Sequence, residues 1–188
     1  YEIMPSLVGS EMCIRDRLRA ISGFKRISSG YIRINGQLAS SSFSHMPPEN
    51  RNLGFVFQDY ALFPHLNVFE NVGFGLGRKV NDRRIKIQSI IDMIDLKSHE
   101  KKYPNQLSGG QQQRVAIGRA LAISPSAILM DEPFSNLDFS LKKILSNEVK
   151  KIIKNTGTTT IMVTHDEKEA ERLSDECYLL ENGKIKNI

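Results

Sequence analysis

Short apolar runs alternate along the 188-residue chain with stretches of helical periodicity. Tyr31-Ile32-Arg33-Ile34 and Gln37-Leu38 flank Asn35-Gly36, which predicts a two-residue hairpin because both central residues of a type I′ turn take positive φ. Residues 39–52 read as a polar Ser/Pro loop. Residues 53–57 are a short apolar run expected as a buried strand, with Gln58 at its end. Asn81-Asp82 stands where a helix cap is expected, ahead of Ile87, Ile90, Ile91 and Ile94 at three- and four-residue spacing. Pro104 closes that region. A second helix is expected from Gly109-Gly110 to about residue 123, ended by Ser124-Pro125. Ala127-Ile128-Leu129-Met130 is a continuous apolar run of strand length. Leu141, Ile144, Leu145 and Ile152 then recur at helical spacing, with Asn155-Thr156-Gly157 as the stop. Residues 158–164 are β-branched and strand-like. Residues 167–173 read as a helix, with Thr164 and Glu167 at capping-box spacing. Residues 177–180, Asn182-Gly183 and the segment from Lys184 onward read as a terminal hairpin.

Strands alternating with helices predict an α/β domain with a largely parallel sheet, and residues 60–115 read as a helical segment inserted between its strands. The composition, 40% hydrophobic and 25% charged, is that of one soluble globular domain. No apolar run approaches the ~18 residues of a membrane span. Cys13 and Cys177 alone exclude a disulfide scaffold and point to a reducing compartment. The net charge of +5 raises the question of nucleic acid. Lys and Arg are scattered and aromatics make up only 7%, so no nucleic-acid partner is expected.

Residues 1–17, YEIMPSLVGSEMCIRDR, lack both apolar periodicity and turn chemistry leading into the segment from Leu18. They lack the apolar core of a secretory signal as well. Leu7 to Asp16 can be encoded by CTC GTG GGC TCG GAG ATG TGT ATA AGA GAC, with AG opening the codon of Arg17. That string matches a transposase adapter used in sequencing-library preparation. Residues 1–17 are therefore expected to be non-native, and the genuine domain to span 18–188. Without them the chain has 171 residues, loses Cys13 and, with two fewer basic and three fewer acidic residues, carries +6.

Four places carry candidate chemistry. In Leu107-Ser108-Gly109-Gly110-Gln111-Gln112-Gln113-Arg114, two glycines open a helix whose first N–H groups lack partners. With the Ser108 hydroxyl and the positive end of the dipole they can hold an anion; a simple Ser-capped helix is the plainer alternative. In Ala127-Ile-Leu-Met-Asp131-Glu132-Pro133 a carboxylate emerges at the carboxyl end of a buried strand, where α/β sheets bind ligands. There Asp131 can hold Mg²⁺, usually through waters, and Glu132 can orient or deprotonate a water; two solvated acids are again the plainer reading. His165 and Gln58 succeed further strands, and Asp138 lies at the start of the next helix as an ordinary dipole-favoured acid. What distinguishes Gln58, Asp131, Glu132 and His165 is that all four fall at carboxyl ends of expected strands.

With these residues in place, the sequence from Leu18 to Ile188 resembles the nucleotide-binding subunits of ABC transporters. LSGGQQQR is similar to the family signature, ILMDEP to its Walker B with catalytic Glu, SNLD to its D-loop and THD to its switch histidine. FVFQDYALFPHLNVFENVGFGL resembles the Q-loop and helical subdomain of importer subunits. The fold so implied is a P-loop NTPase-like ABC ATPase core. The resemblance implies that Asp131 and Gln58 serve Mg²⁺ and that Glu132 is the general base. It also implies that His165 contacts the γ-phosphate and that Gln58 relays to the membrane subunit. Ser108, Gly109, Gly110 and Gln111 would contact ATP held by the opposite protomer of a head-to-tail homodimer, with Asp138 communicating across it. Transmembrane permease subunits, a periplasmic or surface substrate-binding protein and a peripheral place on the cytoplasmic membrane face complete the implied assembly.

One departure matters: G-x-x-x-x-G-K-[ST] occurs nowhere. The family's phosphate loop belongs immediately upstream of LRAISGFKRISSGYIRING, where the adapter-like string stands. The first strands and the phosphate loop are therefore expected to be missing, the core incomplete, and the chain as written barely active. Two other readings compete with an importer ATPase. A soluble ABC-type ATPase acting on DNA or ribosomes would carry large insertions or paired cassettes, which are not seen. A non-catalytic protein would supply only a signature half-site to a partner's ATP. The importer resemblance is strongest toward ferric-iron and polyamine systems.

Overall fold

The computed structural model describes residues 5–9, 11–77, 82–135, 139–181 and 184–187. In chain order its elements are β1 (Pro5–Gly9), α1 (Glu11–Ser22), β2 (Tyr31–Ile34), β3 (Gln37–Ser41), β4 (Leu53–Val56), α2 (Val68–Val72) and α3 (Arg83–Met93). Next come α4 (Gly109–Ala122), β5 (Ala127–Asp131), α5 (Phe139–Thr156), β6 (Thr160–Thr164), α6 (Glu167–Leu173), β7 (Glu176–Glu181) and β8 (Lys184–Asn187). Six strands form one sheet in the order β4-β5-β6-β1-β7-β8. The first five run parallel, and β8 turns back antiparallel on β7. The α/β architecture with a mainly parallel sheet is the one expected.

A parallel sheet is covered on both faces, so its inner strands carry continuous apolar runs such as Ile128-Leu129-Met130. In β5, Ile128 and Met130 join the larger cluster with α2, α3, α4 and α5, while Leu129 faces the other way. Leu129 packs with Ile14 and Leu18, one turn apart on α1 and 1% and 0% exposed. On the first face, the Ile87, Ile90, Ile91 and Ile94 stripe is buried as its spacing predicts. The helical segment thus leans on the sheet through α4, whose Val115 to Leu121 side reaches the same cluster. β2 and β3 form a separate ribbon. Its turn has φ of 50° at Asn35 and 78° at Gly36, the two positive values the sequence calls for.

Several expectations need correction. The strand expected to be missing is present in the structure: Pro5–Gly9 lies between β6 and β7 and pairs in parallel with both. Ladder bonds join backbone groups, so the extended segment with Leu7-Val8 at its centre can take that place through its main chain. Glu11–Ser22 then forms α1 across the boundary placed after residue 17, and Ile14 enters the core. On α5, Leu145 and Ile152 are buried, but Leu141 and Ile144 are 38% and 58% exposed. The buried face is completed instead by Val149 and Ile153, in helical register with Leu145 and Ile152. The cap of α6 is Asp166, whose side chain accepts from Glu169 N–H; Thr164 accepts from Asp166 N–H instead of making a capping box with Glu167. Asp82 precedes α3 with φ of 57° and makes no side-chain cap. Asn81 and Asn182-Gly183 lie outside the described residues.

Arg51 fastens the ribbon to this frame. It is 2% exposed, and its Nη1 donates to the carbonyls of Ala20 and Ile21 in the last turn of α1. Its Nε donates to Met46 O and its Nη2 to Ala39 O and Ser40 Oγ. Two carbonyls at the helix end are thereby held by a side chain from a distant loop.

Candidate active site

β4, β5, β6 and β1 run in one direction, so their carboxyl ends open on one edge of the sheet, where α/β folds receive ligands. Gln58 lies just beyond β4, Asp131 ends β5, Glu132 is the next residue, and His165 directly succeeds β6. The parallel register sets Asp131 beside Val163, and Glu132 N–H donates to Val163 O at 2.9 Å. Glu132 takes φ of 45°, a left-handed conformation costing on the order of 1 kcal/mol in a residue with a side chain. That turn brings its Oε2 to 3.3 Å from His165 Nδ1. His165 is half-exposed while the carboxylate is buried. The imidazole thus stands at the mouth and the acid behind it.

Ser135 ties the two flanks together. Gln58 Nε2 donates to Ser135 Oγ at 3.1 Å, and that hydroxyl donates to Glu132 O at 3.1 Å. All four residues singled out at strand ends are therefore brought into one cluster.

Arg15 completes the cluster, and sequence reasoning missed it. From the second turn of α1 its Nε reaches Asp131 Oδ1 at 3.2 Å, while Nη2 reaches Glu132 Oε1 at 3.3 Å and Gln58 Oε1 at 3.1 Å. Two adjacent buried carboxylates repel, and a guanidinium shared between them offsets much of that cost. Arg15, Arg19, Phe57, Gln58, Asp59 and Asp131 line a cleft of about 380 Å³ at this edge. A larger recess of about 820 Å³ lies at the amino ends of β5 and β6 and contains none of these residues.

The signature segment forms a separate feature. Ser108 caps α4: its Oγ accepts from Gln111 N–H, and Gln111 Oε1 accepts from Ser108 N–H, a reciprocal capping box. The Gln111 amide also lies 3.2 Å from His99 Nε2. Gly110 is buried with no room for more: a Cβ there would stand 2.6 Å from Leu145 of α5. Asp138 lies outside the described residues.

Mg²⁺ is the metal the family resemblance implies. A divalent ion at this edge needs the lone pairs of Asp131 and Gln58. Arg15 already binds both side chains with a positive charge, so the residues present do not fit the metal.

Two carboxylates at the strand ends, a histidine beside them and a Ser-capped Gly-Gly helix are the arrangement the sequence leads one to expect of an ATP-binding cassette. The chain belongs to the ABC transporter family, whose sequence profile matches residues 17–135. It is 43% identical to the spermidine/putrescine import ATP-binding protein PotA of Nitratidesulfovibrio vulgaris over 97% of this chain and 50% of that protein. It is 46% identical to the probable sulfate/thiosulfate import ATP-binding protein CysA of Chlorella vulgaris, over 91% of this chain and 72% of that protein. With the Fe(3+) ions import ATP-binding protein FbpC 2 of Rhizobium meliloti it shares 44% over 91% of the chain and 43% of that protein. The chain spans about half the length of most of these curated relatives. Among solved structures, a dimeric ATP-binding cassette in a post-hydrolysis state bound to ADP and Pi superimposes with a TM-score of 0.79 at 31% identity. That match covers 99% of this chain and 84% of the other.

Proposed function

We propose that the chain derives from the ATP-hydrolysing subunit of an ABC importer. The observation that carries this is the single cluster of Gln58, Asp131, Glu132 and His165 at the carboxyl ends of parallel strands. Glu132 accepts the proton of the water that attacks the γ-phosphate, and His165, held against it, contacts that phosphate. Gln58, bonded through Ser135 to the backbone of Glu132, couples the state of the site to the surface that meets the permease. Ser108, Gly109, Gly110 and Gln111, at the positive N-terminal end of α4, contact ATP on a second protomer of a head-to-tail dimer. Asp138 communicates between the protomers. Among the described residues no helix is long and apolar enough to cross a membrane. The subunit is held at the cytoplasmic face by permease subunits, with a substrate-binding protein on the far side. Relatives named for polyamines, ferric ions and sulfate resemble the chain almost equally, so the proposed cargo class is a small solute.

The same reading holds residues 1–17 to be foreign to the gene, which is supported by the adapter-like string. As written, the polypeptide then turns over ATP poorly, because no phosphate-loop Lys cradles the β- and γ-phosphates. A second reading is favoured by the intact Ser108 cap beside the Arg15-filled cluster: this polypeptide supplies only a signature half-site.

A long sequencing read upstream of the codon for Leu18 tests the reading. A strand followed by G-x-x-x-x-G-K-[ST] joined to Leu18 is the expected result, and the protein so restored hydrolyses ATP. The string YEIMPSLVGSEMCIRDR in the genome itself, or a restored protein without ATPase activity, overturns it.

A further inference from the structure

We infer that Arg15 is an internal cation seated where a divalent metal would bind, so that this polypeptide is locked in a metal-excluding state. Three contacts carry the inference. The guanidinium takes Asp131 Oδ1 with Nε and takes Glu132 Oε1 and Gln58 Oε1 with Nη2, all within 3.1–3.3 Å. These acceptors come from three loci of the sheet edge: the end of β5, the residue after it, and the loop just beyond β4. They converge on one side chain, and Asp131 and Glu132 are 6% and 4% exposed. Buried carboxylates need a partner cation, and Arg15 is placed to be that partner.

The position is a firm one. Arg15 sits between Ile14 and Leu18 on α1, and those two side chains are buried against Leu129 and Val163 of β5 and β6. The helix is thus clamped to the strands that bear the carboxylates. A planar guanidinium also binds several oxygens at fixed angles, which a mobile ammonium does not do. An incoming ion would have to displace Arg15 from all three of these acceptors. The inference rests on the reading of Asp131 as the metal-bearing carboxylate.

Mn²⁺, followed through the loss of its free-ion EPR signal, tests it on the full chain. The unaltered protein is expected to leave the signal unchanged at millimolar Mn²⁺, and so is Arg15→Lys, which keeps the charge. Arg15→Gln is expected to bind the ion at least tenfold more tightly, and adding Asp131→Asn to abolish the gain. Binding by the unaltered protein that Asp131→Asn removes overturns the role of Arg15 while sparing that of Asp131. No binding by a folded Arg15→Gln overturns the inference through the metal reading itself. Should Arg15→Gln lose its helical circular dichroism, the unaltered protein still decides. A slowly exchanging Arg Nε–H resonance that vanishes in Asp131→Asn and ignores 10-fold changes in MgCl₂ supports the inference. Its displacement by MgCl₂ overturns it.

Discussion

Gln113 Nε2 donates to the carbonyl oxygen of Pro133 at 3.0 Å, from a side chain that is fully buried. The bond joins the signature helix α4 to the loop that carries Glu132, so the two halves of the candidate chemistry are mechanically linked. Gln113→Ala removes the donor and strands a buried carbonyl, a loss expected to cost about 2 kcal/mol. Urea denaturation checks it; a cost below a few tenths of a kcal/mol would show that the link is slack.

Gly110 serves packing as well as the signature. A Cβ at this position would lie 2.6 Å from Leu145 Cδ2, so Gly110→Ala is expected to destabilise by about 1–3 kcal/mol through overpacking. Adding Leu145→Val should recover part of that loss. Equal stabilities for the single and double variants would refute the clash.

Glu169 gives the fold a pH dependence. It is 2% exposed, and burial pushes its carboxyl up to about 7. Lys142, Arg172 and His165 pull it down, and Asp166 pushes it further up. The folded chain therefore holds this proton more tightly than the unfolded chain, whose carboxyl titrates near 4.5. Its contribution to stability falls as pH rises from about 4.5 to about 7, by at most about 3 kcal/mol. Glu169→Gln should flatten that slope and raise the melting temperature at pH 8. An unchanged slope would remove Glu169 as its source.

Glu132→Gln, made in a protein with its phosphate loop restored, is expected to retain nucleotide binding and to lose hydrolysis by ~10²–10⁴-fold. Phosphate release measured beside nucleotide affinity separates the two. Hydrolysis at the unaltered rate would strip Glu132 of the base role.

Local signals in the chain are readable to the residue. The Asn35-Gly36 turn, the Ser108 start of α4 and the span of α6 depend on neighbours a few positions away, and each stands where its sequence puts it. The strand-end cluster is also legible, since parallel strands deliver their carboxyl ends to one edge whatever their order. What escapes depends on distance in the chain. Arg51 looks like any loop arginine until Ala20, Ile21 and Ala39 are folded around it. Arg15 lies 116 residues from Asp131, inside a segment that carries no pattern at all. The face of α5 departs from its expected stripe because Leu141 and Ile144 share the period of a buried row without sharing its contacts.

Among the described residues, β1 alone joins the β4-β5-β6 half of the main sheet to the β7-β8 half. As a keystone it is asked for extension, for backbone groups that pair on both sides and for a short apolar centre, a requirement that different sequences satisfy. Nucleotide chemistry asks for particular side chains a few positions later. Folding and turnover thus apply separate examinations to the same stretch of chain, and a segment can pass the first while failing the second. The shape of the sheet is then a poorer witness to the identity of that stretch than its side chains are.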